Sequence, residues 1–175
     1  MTTETLSISQ ALRAIKKAKG KLSELSERAK SCATFAEGEY PAFEWSSTME
    51  AIRDTRSNLL NLQEAVAHAN ATTKIDVDGK KVSLAYAVRL LGEIKSEIAF
   101  LKTVPGRTQE RTQELAWGVN QAGERTQIAR NVISHLPEAR KAAAIEAAQN
   151  RFDALNGICE HFNHTTPAPV ASARS

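Results

Sequence analysis

The amino-acid sequence predicts a mainly α-helical protein, a bundle of long antiparallel helices with one small β-hairpin. Aromatic residues make up only 5% of the 175 residues and charged residues 25%, and this balance favours helices over sheets. Apolar side chains recur at helical spacing in four long segments. An Asp-Gly pair between alternating residues is typical of a two-residue hairpin turn. We therefore expect one helical domain over residues 1–166, with the hairpin near 74–83.

Two helices are predicted in the first part of the chain. An apolar stripe indicates the first over about residues 6–31. The segment Glu37–Pro41 contains a glycine and a proline, which predict a loop. The second helix is expected to start at Ser46 or Ser47, because the serine at 47 and Glu50 have the spacing of a capping box.

The middle of the chain holds the predicted hairpin and the third helix. Two short strands flank Asp78-Gly79. A regular apolar stripe then predicts a helix over about 84–103, with Ser83 as its N-cap. Val104-Pro105-Gly106 ends this helix.

The last third of the chain is less regular. For residues 107–124 the sequence leaves strand, loop and broken helix open, and a helix of about two turns is expected over 125–134. The last helix is predicted over 137–162, with Pro137 in its first turn. The segment 167–175 is made mainly of Pro, Ala and Ser, which predicts a disordered tail.

The helices are expected to associate between copies of the chain. Each has one apolar stripe, so the helices must lie side by side to bury it. Long and narrow subunits would leave much of this apolar surface near solvent. We therefore expect a homo-oligomer, either a dimer or a hexamer.

A six-residue phrase occurs twice at predicted helix ends. His68–Thr73 and His161–Thr166 both have the pattern H-x-N-x-T-T, 93 residues apart. A duplicated domain is not expected, because the hairpin that follows the first phrase has no second copy in the sequence. Asn and Thr commonly cap helices or start turns. The same side chains can also hold a ribose or the edge of a base, because they both donate and accept hydrogen bonds.

Several arginines flank a tryptophan in the irregular segment. Arg107, Arg111, Arg125 and Arg130 flank Trp117. An arginine fork binds phosphate or carboxylate with two hydrogen bonds, and an indole either stacks on a base or fills a core or an interface.

Glu114 lies among these arginines in the sequence. It is expected to pair with one of them rather than to act as a base.

No metal, cofactor or catalytic group is predicted. His68, His161, His164 and Cys159 have a spacing compatible with metal binding, but no further ligands complete a site. No acid–base pair can be recognised from spacing, so we do not expect an enzyme.

The chain is expected to be cytoplasmic and without a membrane partner. The sequence shows no signal peptide and no apolar run long enough to span a bilayer. Residues 11–30 are basic, and this indicates a solvated helix face. The alternatives are complementary packing between subunits and a basic lining for an anionic ligand. Nucleic-acid binding there ranks lower, because no aromatic residues lie between the basic ones.

The order of these motifs resembles the septicolysin-like family, a group of small uncharacterised bacterial and phage proteins. The resemblance covers about residues 5–166 and departs around Trp117, where the family has a more strand-like basic segment. It implies a helical oligomer without catalytic activity. The motifs that carry it are Glu37-Gly38 with Pro41, Asn70-Ala71-Thr72-Thr73, Asp78-Gly79, Arg89, Glu114-Leu115-Ala116-Trp117 and Asn163-His164-Thr165-Thr166.

Together the sequence favours a non-enzymatic homo-oligomer that binds a small anionic ligand derived from a nucleotide. Because the resemblance implies phage occurrence, the ligand is expected to be an immune signal that the protein sequesters in the host cytoplasm. The alternative is a structural or protein-interaction module without a ligand. The expected ligand-binding residues are Asn70, Thr72, Thr73, Arg89, Arg107, Arg111, Glu114, Trp117, Asn163, Thr165 and Thr166.

Overall fold

The computed structural model describes residues 3–107 and 111–171. Within them the chain is mainly α-helical, as the sequence predicts, and its strands form three antiparallel pairs. The helices are α1 (Ile8–Cys32), α2 (Trp45–Thr72), α3 (Leu84–Thr103) and α4 (Glu138–Thr165). The strands are β1 (Thr3–Ser7), β2 (Lys74–Val77), β3 (Lys80–Ser83), β4 (Arg111–Val119), β5 (Arg125–Ile133) and β6 (Pro167–Ala171).

The chain divides into two compact units, where the sequence predicted one domain over residues 1–166. The first unit contains the residues up to Val88 together with those from Gly157 onward. The second unit contains Arg89–Asn156, which includes β4, β5 and most of α3 and α4.

Helix α1 begins with a capping box, formed by Ser7 and Gln10, that was not predicted from the sequence. Ser7 Oγ accepts a hydrogen bond from the amide of Gln10 at 3.3 Å, and Gln10 Oε1 accepts from the amide of Ser7 at 2.8 Å. This reciprocal arrangement satisfies two amides that the first helical turn leaves free. The predicted start at residue 6 is displaced because Leu6 belongs to β1.

Helix α2 begins at Trp45, one residue before the predicted start. The carboxylate of Glu44 accepts hydrogen bonds from the amides of Ser46 at 3.2 Å and Ser47 at 2.8 Å. The prediction of a capping box at Ser47–Glu50 is therefore wrong, because Glu44 already satisfies these amides. Hydrogen bonds from Ser46 and Ser47 lower the pKa of Glu44 from 4.5 to about 2.

Helices α1 and α2 pack against each other in the first unit. Leu25 and Ala29 in the last part of α1 bury their side chains with Ile52 near the start of α2. Half-buried Leu22 and Met49 extend this cluster. These residues recur every three or four positions, so each helix turns one apolar stripe towards the other.

The predicted hairpin and third helix are confirmed. Strands β2 and β3 are joined by a turn in which Asp78 has φ 52° and Gly79 has φ 75°. Such positive angles at both central residues are typical of the Asp-Gly hairpin turn. Ser83 Oγ accepts from the amide of Tyr86 at 3.2 Å, so Ser83 caps α3 as expected.

The segment after α4 forms a strand, so the prediction of a disordered tail over 167–175 is wrong for its first five residues. Strand β6 pairs antiparallel with β1, with Ala168 opposite Leu6. Ala168 is 0% exposed and Val170 is also buried. Alternate side chains of the strand thus enter the core, as a half-buried strand requires. Residues 172–175 lie outside the described residues.

The β1–β6 pair is a second antiparallel strand pair that corresponds to the β2–β3 hairpin, and the sequence did not predict it. The order strand, helix, helix, strand occurs twice: first as β1, α1, α2 and β2, then as β3, α3, α4 and β6. Helices α2 and α4 are each 28 residues long and both end in the repeated phrase. The chain is therefore built from two similar halves. The copy escapes a sequence search because its strands lie at opposite ends of the described chain.

Buried positions repeat together with the elements. Ile8 and Leu84 are the first residues of α1 and α3, and both are almost completely buried. Three residues further on, Ala11 and Ala87 are also fully buried. An i, i+3 pair at the start of the first helix of each half is therefore buried.

The irregular segment between α3 and α4 contains a long two-stranded ribbon, β4–β5. Residues 111–119 pair with 125–133 without interruption. The expected helix over 125–134 is therefore wrong, and of the alternatives left open for 107–124, strand is correct for 111–119. The turn is held by Asn120, whose Oδ1 accepts from the amides of Ala122 at 3.0 Å and Glu124 at 2.9 Å.

Introducing a charge into β6 tests whether this strand is part of the fold. Ala168→Asp is expected to cost about 3–5 kcal/mol, the range for an uncompensated buried charge. Pro169→Ala, on the exposed side of the same strand, is the control. Chemical denaturation followed by circular dichroism measures both, and equal stability of the two variants would contradict the role of β6.

The cap at Glu44 predicts a dependence of stability on pH. Because its pKa is lower in the folded state, the carboxylate stabilises the fold above pH 4.5, and this contribution is lost as the pH falls through about 2. Glu44→Gln is expected to melt at a lower temperature near neutral pH and to lose less stability across this window than the wild type. Thermal melts at several pH values test this, with Glu50→Gln as a control that should follow the wild type.

Candidate functional site

The first threonine of each repeated phrase bonds to its own helix. Thr72 Oγ1 donates to the carbonyl of His68 at 2.9 Å, and Thr165 Oγ1 donates to the carbonyl of His161 at 3.0 Å. The two contacts are the same in the two halves of the chain. Both hydroxyl hydrogens are therefore engaged in the last turn of a helix.

The second threonine of each phrase joins one helix end to the start of another helix. The carbonyl of Thr73 accepts from the amide of Leu84 at 2.9 Å, and the carbonyl of Thr166 accepts from the amide of Ile8 at 3.1 Å. Amides in the first turn of a helix lack partners within the helix. Each phrase supplies such a partner, so its threonines act as structural connectors.

The asparagines of the two phrases are half-buried. The Oδ1 atom of Asn70 is buried and has no hydrogen-bond partner among the described residues. The equivalent Asn163 is half-buried as well. The Oδ1 atom of Asn70 therefore differs from the hydroxyls of Thr72 and Thr165, which bond within the fold.

The histidines near the phrases do not form a metal site in the described part of the chain. No group of three His, Cys, Asp or Glu side chains that could hold a metal occurs there. His164 Nδ1 instead lies 3.1 Å from Ser9 Oγ in α1. Burial raises the pKa of the Cys159 thiol, which disfavours the reactive thiolate.

The β4–β5 ribbon carries one face whose side chains are all exposed, here called the outer face. It contains two arginines, three amide side chains and four large apolar residues, but no carboxylate. Its residues are Arg111, Gln113, Leu115, Trp117 and Val119 from β4, and Arg125, Gln127, Ala129, Asn131 and Ile133 from β5.

An open groove of about 490 Å³ lies at the end of the ribbon where β4 begins. Arg111 pairs across the strands with Ile133, and Gln113 pairs with Asn131, so these four side chains share the outer face. Thr112 completes the lining, and its Oγ1 is buried without a hydrogen-bond partner among the described residues. Thr112 pairs with Val132 on the inner face, so its hydroxyl is directed away from the outer face, and the groove itself combines a guanidinium and two amides.

Trp117 lies on the outer face and is 63% exposed. It therefore does not fill a core of this chain. Of the two structural roles expected for it, core residue or interface residue, only the interface remains. The guanidinium of Arg125 lies 5.9 Å from the ring centre, within the range of a cation–π contact. Trp117 is six positions along the extended strand from Arg111, which puts their Cα atoms roughly 20 Å apart.

The other predicted residues of the second unit have separate positions. Arg107 and Glu114 form an ion pair, which agrees with the expected pairing of Glu114 with an arginine. The carbonyl of Arg107 also accepts from the amide of Glu138 at 2.9 Å, so Arg107 lies beside the start of α4. Arg89 is exposed on α3.

The predicted ligand residues thus fall into two groups rather than one. The Asn-x-Thr-Thr residues belong to the first unit, and Arg89, Arg107, Arg111, Glu114 and Trp117 belong to the second. Sequence analysis missed Gln113 and Asn131, which share the groove with Arg111. The alternation of Leu115, Trp117 and Val119 was a strand signal that could have placed Gln113 on the same face.

Substituting Trp117 tests its exposed position. Trp117→Phe is expected to change the free energy of unfolding by less than about 0.5 kcal/mol, as for other surface substitutions. Urea denaturation measures this change. A loss of several kcal/mol would show that the indole fills a core.

Comparisons with known proteins show the fold and leave the activity open. No family model and no curated protein matches the chain. Among the described residues no helix is sufficiently long and apolar to cross a bilayer. The chain is similar to the crystal structure of a functionally unknown conserved protein from Corynebacterium diphtheriae, with 14% sequence identity, a TM-score of 0.69, and coverage of 94% of this chain and 99% of that one. At this identity the similarity shows a shared fold.

Proposed function

We propose that this protein binds a small anionic ligand derived from a nucleotide, without converting it, in the groove of the β4–β5 ribbon. The observation that carries this proposal is the convergence of Arg111, Gln113 and Asn131 on one groove. A ligand would give these polar groups the partners that they lack within the described chain.

The chemistry of the groove favours a phosphate-bearing ligand. The guanidinium of Arg111 can hold two phosphate oxygens at once, and the outer face has no carboxylate to repel them. The amides of Gln113 and Asn131 each offer a donor and an acceptor for a ribose or a base edge. A volume of about 490 Å³ lies within the range of small-molecule sites, roughly 300–1,000 Å³.

The two repeated phrases have a different role in this proposal from the one expected. Their threonines join helix ends to strand pairs, so they hold the scaffold rather than the ligand. The long helices would bundle side by side in a homo-oligomer and bury the apolar surface that one copy leaves exposed.

Capture without turnover is the activity that this proposal implies. A phage-encoded protein of this kind would sequester a nucleotide signal of bacterial immunity in the host cytoplasm. Its capacity would depend on affinity and on the number of copies, since each groove holds one ligand.

A structural module without a ligand is the second candidate. It is favoured by one observation: the polar backbone and hydroxyl groups of both phrases bond to the fold itself. In that case the ribbon would bind only protein.

Calorimetric titration with ADP-ribose and with cyclic AMP tests the proposed function. Arg111→Ala is expected to weaken binding at least about tenfold, because a hydrogen bond to a charged group contributes roughly 1.5–3 kcal/mol. Arg130→Ala is the matched control, because Arg130 lies on the opposite face of the same ribbon. Its affinity should equal that of the wild type.

Two results would contradict the proposal. One is the absence of binding at micromolar concentrations for these probes and for small molecules released from the purified protein by denaturation. The other is a chemically altered ligand after release, which mass spectrometry would detect.

A further inference from the structure

We infer that two copies of this chain pair antiparallel through the free edges of their β4 strands, and that the partner's Trp117 completes the groove at Arg111. The pairing follows from the ribbon itself. Its consequence for the groove rests on the proposed function.

The outer edge of β4 is open. Within the described residues β4 pairs only with β5, so the ribbon is a two-stranded sheet. Two strands alone are marginally stable in water, and sheets of three or more strands are favoured. Proteins usually protect such edges with proline, lysine or a bulge. β4 has neither residue, and its pairing with β5 is uninterrupted.

The backbone groups of alternate β4 residues point to this open edge. The amide of Asn120 donates to the carbonyl of Glu124 at 2.9 Å, which fixes the hydrogen-bonded pair next to the turn. Hydrogen-bonded and non-bonded pairs alternate along an antiparallel ladder. The amides and carbonyls of Leu115, Trp117 and Val119 are therefore directed away from β5.

The apolar side chains select β4 over β5 as the pairing edge. On β4 the exposed fraction is 69% for Leu115, 63% for Trp117 and 64% for Val119. On β5 the only comparably exposed large apolar residue among those described is Ile133, at 61%. Pairing two β4 strands would join two apolar rows into one cluster at the centre of a four-stranded sheet.

A two-fold axis at Leu115 gives a pairing without like charges opposite each other. Leu115 then faces its own counterpart, as an isologous contact requires. Arg111 faces the partner's Val119, and Glu114 faces the partner's Ala116. Opposed charges of the same sign would destabilise the pair, and this register has none.

The same register brings together two residues that lie far apart in one chain. Gln113 faces the partner's Trp117, with about 5.5 Å between their Cα atoms, as in any hydrogen-bonded antiparallel pair. Directly opposed side chains share a face, so the partner's indole lies beside the groove. It would stack on a base while Arg111 holds a phosphate. The groove is therefore complete only in the dimer.

Cysteine cross-linking tests the pairing. Leu115→Cys is expected to form a disulfide-linked dimer under mild oxidation, because the two copies of this residue face each other. Ala129→Cys, at the centre of exposed β5, is the matched control and should remain unlinked. The natural Cys32 and Cys159 are buried. Equal cross-linking of both variants, or a monomeric wild type in light scattering, would overturn the pairing.

A charged variant connects the pairing with the groove. Leu115→Lys places two like charges on the axis and should weaken dimerisation at least tenfold, while Ala129→Lys should remain dimeric. If the partner completes the groove, Leu115→Lys should lose ADP-ribose affinity to the same extent as Trp117→Ala.

Measuring dimerisation and ADP-ribose binding together distinguishes failure of the shared groove from failure of the proposed function. Unchanged ADP-ribose affinity in monomeric Leu115→Lys would overturn the shared groove and leave the proposed function intact. A wild-type dimer that binds neither probe, nor any small molecule carried through purification, would support the pairing and contradict the proposed function.

Discussion

The fold depends on one hydrogen bond that occurs twice, from the first amide of a helix to the carbonyl of a threonine at the end of another helix. Thr73 accepts from Leu84, and Thr166 accepts from Ile8. Both donors are almost fully buried, and an unpaired amide there would cost free energy comparable to a lost hydrogen bond. Each bond also places a strand pair beside the helix starts, so that the buried strand residues close the core.

This constraint assigns the repeated phrases to the scaffold of the fold. In both halves of the chain the threonines of the repeated phrase are engaged in structural contacts, and the two halves are alike there. The halves differ between their helices. A loop, residues 33–44, connects α1 to α2, whereas the β4–β5 ribbon lies between α3 and α4. The groove and the exposed tryptophan are on the part that has no counterpart in the other half.

Local patterns in the sequence explain both the correct and the incorrect predictions. Helix α3 was found with its bounds because a continuous apolar stripe, a serine cap and a Pro-Gly stop agree there. Strand β5 was predicted as a helix, and Ile128 and Val132 are indeed four residues apart, which fits one helical face. In the ribbon they lie on the inner face, an even number of residues apart along a strand. A spacing of four residues therefore does not by itself distinguish a helix from a strand.

The sequence by itself determined the helices, the Asp-Gly hairpin and the two matched helix ends, because each depends on side chains within a few residues of one another. The tertiary structure decided the β1–β6 pair, the ribbon and the groove. Strands β1 and β6 are more than 150 residues apart, and their pairing depends on which surfaces the folded helices present. In the same way, Asn131 joins Arg111 and Gln113 only because the register of β4 with β5 places it opposite Gln113.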